Sequence, residues 1–140
     1  MTDRRQRLTA TARRAQLIEV GRGVFAKRGY KGASLEEIAD KAKVTRPIVY
    51  EHFGGKEGLF AVIVDREIEY LVRRIAEAIT SGTMRDRVEQ AALAFFAYVH
   101  DQPEGFAVLT QDAPVTTAGG GMSSLITDVA ERVSEQFTVA

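Results

Sequence analysis

Apolar residues recur along this chain at intervals of three and four, without sustained alternation, and that spacing predicts helices throughout. Leu17, Ile18, Gly21, Val24 and Phe25 share one face of a first helix over about Thr11 to Arg28. Gly29 is placed to end it in the left-handed conformation, and Tyr30 to Ala33 lead onward. Leu35, Ile38, Ala39 and Ala42 then mark a short second helix whose Glu36, Asp40 and Lys41 stay wet. Ser34 with Glu37 reads as a capping box: the hydroxyl takes the Glu37 N–H and the carboxylate reaches back to the Ser34 N–H. Lys43-Val44 is the turn. Thr45 or Arg46 caps a third helix with Pro47 in its first turn, where a missing N–H costs nothing. Val49 and Phe53 continue the buried stripe, so Arg46, Pro47, Ile48, Tyr50, Glu51 and His52 face outward.

The rest of the chain follows the same rhythm. Leu59, Phe60, Ile63, Leu71, Ile75 and Ile79 place one long helix over Lys56 to about Ser81. Thr83, with Asp86 three residues on, caps the next, and Val88, Ala92, Phe95, Phe96 and Val99 form its apolar stripe to about Asp101. Pro103 opens a short helix to about Asp112. Ala113 to Gly121 is a loop by composition, and Met122, Leu125, Ile126, Val129, Val133 and Phe137 predict a last amphipathic helix. The expected fold class is all-α: three helices containing a helix-turn-helix over residues 1–55, then a helical bundle over 56–140.

Two short helices about a tight turn, the second presenting hydrogen-bonding and aromatic groups at its N-terminal end, suit the major groove of DNA. There Arg pairs with guanine and an apolar ring touches a thymine methyl. An ordinary helical hairpin with a solvated face fits the same pattern. Val44-Thr45, Val49-Tyr50, His52-Phe53, Lys56-Glu57 and Leu59-Phe60, preceded by Arg28-Gly29-Tyr30, closely resemble the signature of the TetR family of bacterial transcriptional regulators. The resemblance covers about the first sixty residues.

The place of Arg46 and Pro47 at the start of the third helix predicts that they carry most base discrimination, with Ile48 also facing the DNA, and the resemblance implies phosphate contacts from Ser34, Thr45, Tyr50, His52 and Lys56. It implies double-stranded DNA with a palindromic operator as partner, a homodimer in the complete protein, and a repressor released by a small-molecule effector. The effector would bind among the later helices, near Ile63, Tyr70, Phe95, Phe96, Tyr98, Phe106, Leu109 and Met122. Most of these aromatics equally serve as ordinary core. In the family the long helix carries effector binding to the reader, and only Gly54-Gly55 joins the two here. Two departures stand out. Lys43 occupies a turn position that is often Gly in the family, and the chain ends before the two further helices through which relatives usually dimerise.

Charge sharpens the division. Residues 1–60 hold 13 Lys+Arg against 7 Asp+Glu, a net +6, and the remaining 80 hold 6 against 12, a net −6. The first part suits a polyanion and the second does not. Arg4, Arg5, Arg7, Arg13 and Arg14 form a basic arm placed for groove or phosphate contact.

The chain has no Cys, and His52 and His100 are far apart, so the sequence carries no metal-site signature. Asp65 with Glu69 reads as a solvated pair, His100 as a surface residue at a helix end, and Gly119-Gly120-Gly121 as a loop without the features of a phosphate cradle. No catalytic constellation, cofactor, signal peptide or membrane span is expected, and a cytoplasmic location follows. The rival reading is a helical ligand-binding or interaction protein whose reader no longer binds DNA.

Overall fold

The computed structural model describes residues 8–111 and 121–138, the side chains of residues 121–124 and 138 aside. Among them it forms seven α-helices and no strand. These are α1 (Ala10–Gly32), α2 (Leu35–Ala42), α3 (Arg46–Phe53), α4 (Lys56–Ala78), α5 (Met84–Asp101), α6 (Pro103–Leu109) and α7 (Gly121–Thr138). The loop expected over Ala113 to Gly121 lies almost entirely outside the described residues, as do Arg4, Arg5 and Arg7. No described helix is long and apolar enough to cross a membrane.

The chain divides into two compact units, residues 1–63 and 64–140. The division falls inside α4 and not at its start, because Leu59, Phe60 and Ile63 are fully used in the first core. An added Cβ on Gly21 of α1 would sit 3.0 Å from Ile63 Cδ1 and 3.1 Å from Leu59 Cδ2, which measures how closely the two helices pack. Leu17, Phe25, Ile38, Val49, Leu59 and Phe60 are each completely buried in this unit. Phe25 meets Phe60 edge-on with centroids 4.8 Å apart, and Tyr30 meets the same ring at 5.0 Å. Such edge-to-face pairs add about 0.5–1.5 kcal/mol beyond their buried area. Tyr30, half-buried, thus packs its ring against the edge of this core.

Local signals explain the helix ends. Thr9 Oγ1 accepts from Ala12 N at 3.0 Å and starts α1. Gly29 has φ 76°, as anticipated, but its ψ of 168° is extended and not αL, so the chain kinks there before a short further turn to Gly32. At α2 only half of the expected capping box forms. Ser34 Oγ accepts from Glu37 N at 3.1 Å, but the Glu37 carboxylate pairs with Arg28 at 3.3 Å and Lys41 at 3.6 Å. Two cations compete better for it than one backbone N–H. The complete box is at α5, where Thr83 Oγ1 accepts from Asp86 N at 3.2 Å and Asp86 Oδ2 accepts from Thr83 N at 2.9 Å.

In the second unit, Ile68, Leu71, Val72 and Ile75 of α4 are buried, together with Tyr98 of α5, Val108 and Leu109 of α6, and Leu125 and Val129 of α7. A polar link sits among them: the Tyr98 hydroxyl donates to Glu67 Oε1 at 2.7 Å. Gly105 of α6 passes so close that a Cβ there would strike both Glu67 Oε1 and the Tyr98 hydroxyl. The predicted stripe of α5 is only partly buried. Phe95 and Val99 are half-buried, Ala92 is exposed, and Val88 and Phe96 are 60% and 65% exposed. The helix is apolar around most of its circumference, so periodicity could not choose which side packs.

Candidate nucleic-acid interface

The geometry of α3 begins with the turn before it. Lys43 adopts φ 59°, ψ 44°, and its N–H donates to Asp40 O at 3.2 Å while Val44 N donates to Ala39 O at 3.0 Å. Those two bonds are the Schellman pattern, which occupies the last carbonyls of α2 and turns the chain sharply. Thr45 is then the N-cap of α3, Arg46 its first residue and Pro47 its second. The Thr45 hydroxyl makes no capping hydrogen bond, so it is available to another acceptor. At the far end Gly54, with φ 76°, lets its N–H reach Tyr50 O at 2.7 Å, a conformation that costs a residue with a Cβ about 1 kcal/mol or more.

Only one face of α3 is covered. Val49 is completely buried and Phe53 half-buried, whereas Thr45, Arg46, Pro47, Tyr50 and Glu51 are exposed and Ile48 and His52 half-exposed. Ser34, at the start of α2, is exposed as well. Its hydroxyl accepts from Glu37 N and still holds a proton to donate. Thus all eight residues expected from the sequence to meet DNA present their side chains at least partly to solvent, on a unit of net +6 charge.

Lys56 is the eighth, and its ammonium is engaged within the protein. Nζ donates to Ala33 O at 2.9 Å and Lys31 O at 3.5 Å, and stands 4.6 Å over the Tyr30 ring. It occupies carbonyls at the C-terminal end of α1, where positive charge is favoured. Arg13 and Arg14, read from the sequence as part of a basic arm, lie in the first turns of α1 and also bond inward. Arg13 Nη1 donates to Gln16 Oε1 at 2.6 Å, and Arg14 Nη1 donates to the carbonyl oxygen of His52 at 2.7 Å. Gln16 Nε2 donates in turn to Ala42 O at 3.3 Å. These links join residues 26 and 38 positions apart, so no local pattern could reveal them.

Of the residues expected near an effector, Tyr70 meets Tyr98 with ring centroids 6.0 Å apart and Phe95 meets Phe96 at 6.1 Å. Ile63 belongs to the first unit, Tyr70 is 38% and Phe96 65% exposed, and the side chain of Met122 lies outside the described residues. Tyr98 and Leu109 are buried, while Phe95 and Phe106 are half-buried with ring centroids 6.2 Å apart. An open cleft of about 460 Å³ lies elsewhere in the second unit, lined by Glu69, Val72, Arg73, Arg132, Glu135 and Gln136. It contains none of the expected residues. Among the described residues, no group of three or more His, Asp or Glu side chains is placed to hold a metal ion.

Residues 17–63, which span α1 from Leu17 through the first two turns of α4, match the family described as bacterial regulatory proteins, tetR family. The helix-turn-helix segment is that of the TetR family. It is 34% identical over 114 residues to the HTH-type transcriptional activator FasR of Mycolicibacterium smegmatis, covering 81% of this chain and 52% of that protein. It is 30% identical over 74 residues to the HTH-type transcriptional repressor AcnR of Corynebacterium diphtheriae, covering 53% of this chain and 39% of that one. A tetR-family transcriptional regulator from Streptomyces coelicolor superposes with a TM-score of 0.69 at 27% identity, over 93% of this chain and 58% of its own. A TetR-like regulator from Rhodococcus sp. RHA1 does so at 0.71 and 26%, over 92% and 67%. The chain spans about half the length of the curated relatives it matches. TetR-family proteins such as these are transcriptional regulators, not enzymes.

Proposed function

We propose that this chain is the DNA-binding part of a transcriptional regulator working in the cytoplasm, which in the complete protein reads a palindromic operator in double-stranded DNA as a homodimer. Repression is its mode, and a small apolar or amphipathic effector releases it. The observation that carries the DNA reading is the exposure of Thr45, Arg46, Pro47 and Tyr50 on a helix anchored from behind by Val49, within a unit of net +6 charge. Arg46 and Pro47, with Ile48 beside them, meet base edges; Ser34, Thr45, Tyr50 and His52 meet phosphates, and Lys56 contributes its charge next to Ser34.

Effector release rests on the family resemblance and on the connection between helices. Only Gly54-Gly55 separates α3 from α4, and α4 continues as one helix to Ala78 in the second unit. The effector contacts Tyr98, Phe95, Phe106 or Leu109. Coupling of about 1–3 kcal/mol weakens DNA binding roughly 5–150-fold, and DNA weakens effector binding by the same factor.

Selection of bound sequences from a random DNA pool, followed by titration at several salt concentrations, tests the DNA reading. A recovered palindrome bound with a steep inverse salt dependence supports it. Binding of a small molecule with no enrichment of any DNA sequence would instead establish the helical ligand-binding protein with an idle reader. A second reading, activation, draws support from the activator FasR, which matches across most of this chain. A reporter driven from the recovered operator separates the two: loss of the protein raises expression under repression and lowers it under activation.

A further inference from the structure

We propose that Arg14 is a positioning residue that sets the sequence preference of α3 without itself touching DNA. The inference rests on the DNA reading proposed above. Arg14 lies in the second turn of α1, is half-buried, and holds two successive residues at the end of α3. Its Nη1 donates to His52 O at 2.7 Å, and its guanidinium carbon stands 4.5 Å from the centre of the Phe53 ring.

The last carbonyls of a helix have no partner within it, and they form the negative end of its dipole. A guanidinium placed there supplies both a donor and a charge, and its flat face suits an aromatic ring as an ammonium does not. The hydrogen bond fixes the height of the His52 carbonyl, and the ring contact fixes the rotation of Phe53 about the helix axis.

That second anchor matters because α3 has eight residues and only Val49 is fully buried. A helix of this length, about 12 Å, held at one buried side chain can tilt about it. Arg46 and Pro47 sit at the opposite end from Arg14, where a tilt moves them most. Base-edge hydrogen bonds tolerate only a few tenths of an ångström, so the orientation of α3 decides which bases Arg46 reaches. Phosphate contacts, longer and less directional in their charge attraction, are less sensitive. Gln16, two residues on and steadied by Arg13, gives the Ala42 carbonyl of α2 a matching donor. The start of α1 thus grips the C-terminal ends of both helices of the reader.

The test compares Arg14→Ala and Arg14→Lys with the unaltered 140-residue chain in two measurements. In the first, affinities for the selected operator and for random-sequence DNA are measured across salt concentrations. Arg14→Ala is expected to lose about ten-fold on the operator, the order of one base pairing, with random-DNA affinity and salt slope nearly unchanged. Arg14→Lys keeps the charge and the reach but not the planar stack, and recovers part of the preference. Equal losses on both DNAs with a slope reduced by about one would overturn the proposal and make Arg14 a phosphate contact. In the second measurement, amide hydrogen exchange is followed without DNA. Amides of residues 49–54 are expected to exchange about ten-fold faster in Arg14→Ala and by a smaller factor in Arg14→Lys, while those of α5 do not change. Unchanged exchange overturns the anchoring even if the protein proves to bind no DNA at all. If Arg14→Ala does not fold, Arg14→Lys decides: an unaltered operator preference overturns the proposal, and a reduced one supports it.

Discussion

The Lys56 ammonium donates to the Ala33 carbonyl at 2.9 Å, and the residue after Ala33 is Ser34, the N-cap of α2. One side chain from the start of α4 therefore closes the end of α1 and places a positive charge beside the start of the reader. Two consequences follow for Lys56→Ala, and they are measured separately. Losing a charge-assisted hydrogen bond and the contact with Tyr30 is expected to cost roughly 1–3 kcal/mol of stability, read from urea unfolding. Losing the charge next to Ser34 should reduce the magnitude of the salt slope of DNA binding by about one. Lower stability with an unchanged slope would assign Lys56 to the fold alone.

If Arg46 reads bases as proposed, Arg46→Ala should cost roughly 1–3 kcal/mol on the selected operator and relax its sequence preference. The motive is its exposed position as the first residue of α3. Equal losses on operator and random DNA would sink this role, since a phosphate contact weakens both alike.

Helix positions and the reader's turn were legible in the sequence because they depend on local rules. Ser34, Thr83, Pro47 and Pro103 announce helix starts by their own chemistry, and Val49 shares a face of α3 with Phe53 four residues on, the two apolar residues that mark its inward side. The inward bonds of Arg14, Gln16 and Lys56 were not legible. A long cationic chain near a helix start looks the same whether it meets a phosphate or a carbonyl 38 residues away. Nor could the sequence tell which side of α5 packs: Tyr98 is buried and Phe96 exposed, although both belong to one apolar run.

Inside the second unit, Tyr98 and Glu67 make the test of how α4, α5 and α6 are held. Tyr98→Phe removes the hydroxyl that donates at 2.7 Å to a carboxylate only 7% exposed. A cost of about 1–3 kcal/mol is expected from the buried carboxylate's lost donor. Gly105→Ala should be destabilising as well, because its Cβ would meet the same two oxygens. Wild-type stability in both variants would show that the link contributes nothing.

Glu37 gives a pH dependence with a definite sign. Partial desolvation pushes its carboxyl up, but the hydrogen bond and charge of Arg28, followed by Lys41, outweigh this and hold it below the usual glutamate range. A carboxyl depressed in the folded state contributes stability above its unfolded value, about 4.3, and that contribution disappears as the pH falls through the folded value. The urea midpoint of the protein should therefore exceed that of Glu37→Gln by a constant amount above about pH 5, and the gap should shrink at more acid pH. A gap that persists undiminished to about pH 2 would contradict the ion-pair origin.

Lys43 is the remaining element whose cost can be read directly, because it holds φ 59° where a Cβ crowds the carbonyl that follows. The Schellman bonds from Lys43 N and Val44 N to Asp40 and Ala39 explain why the conformation persists: it gives the last carbonyls of α2 their donors and aims the chain into α3. Glycine fits the same dihedrals without the crowding, which is worth about 1 kcal/mol, although its freer unfolded chain returns part of that gain. Lys43→Gly is expected to raise the urea midpoint modestly and leave operator preference unchanged, since the turn geometry is the same. A lower midpoint would mean that the Lys43 side chain stabilises the turn by more than its backbone strain costs, and an altered operator preference would place Lys43 itself against the DNA.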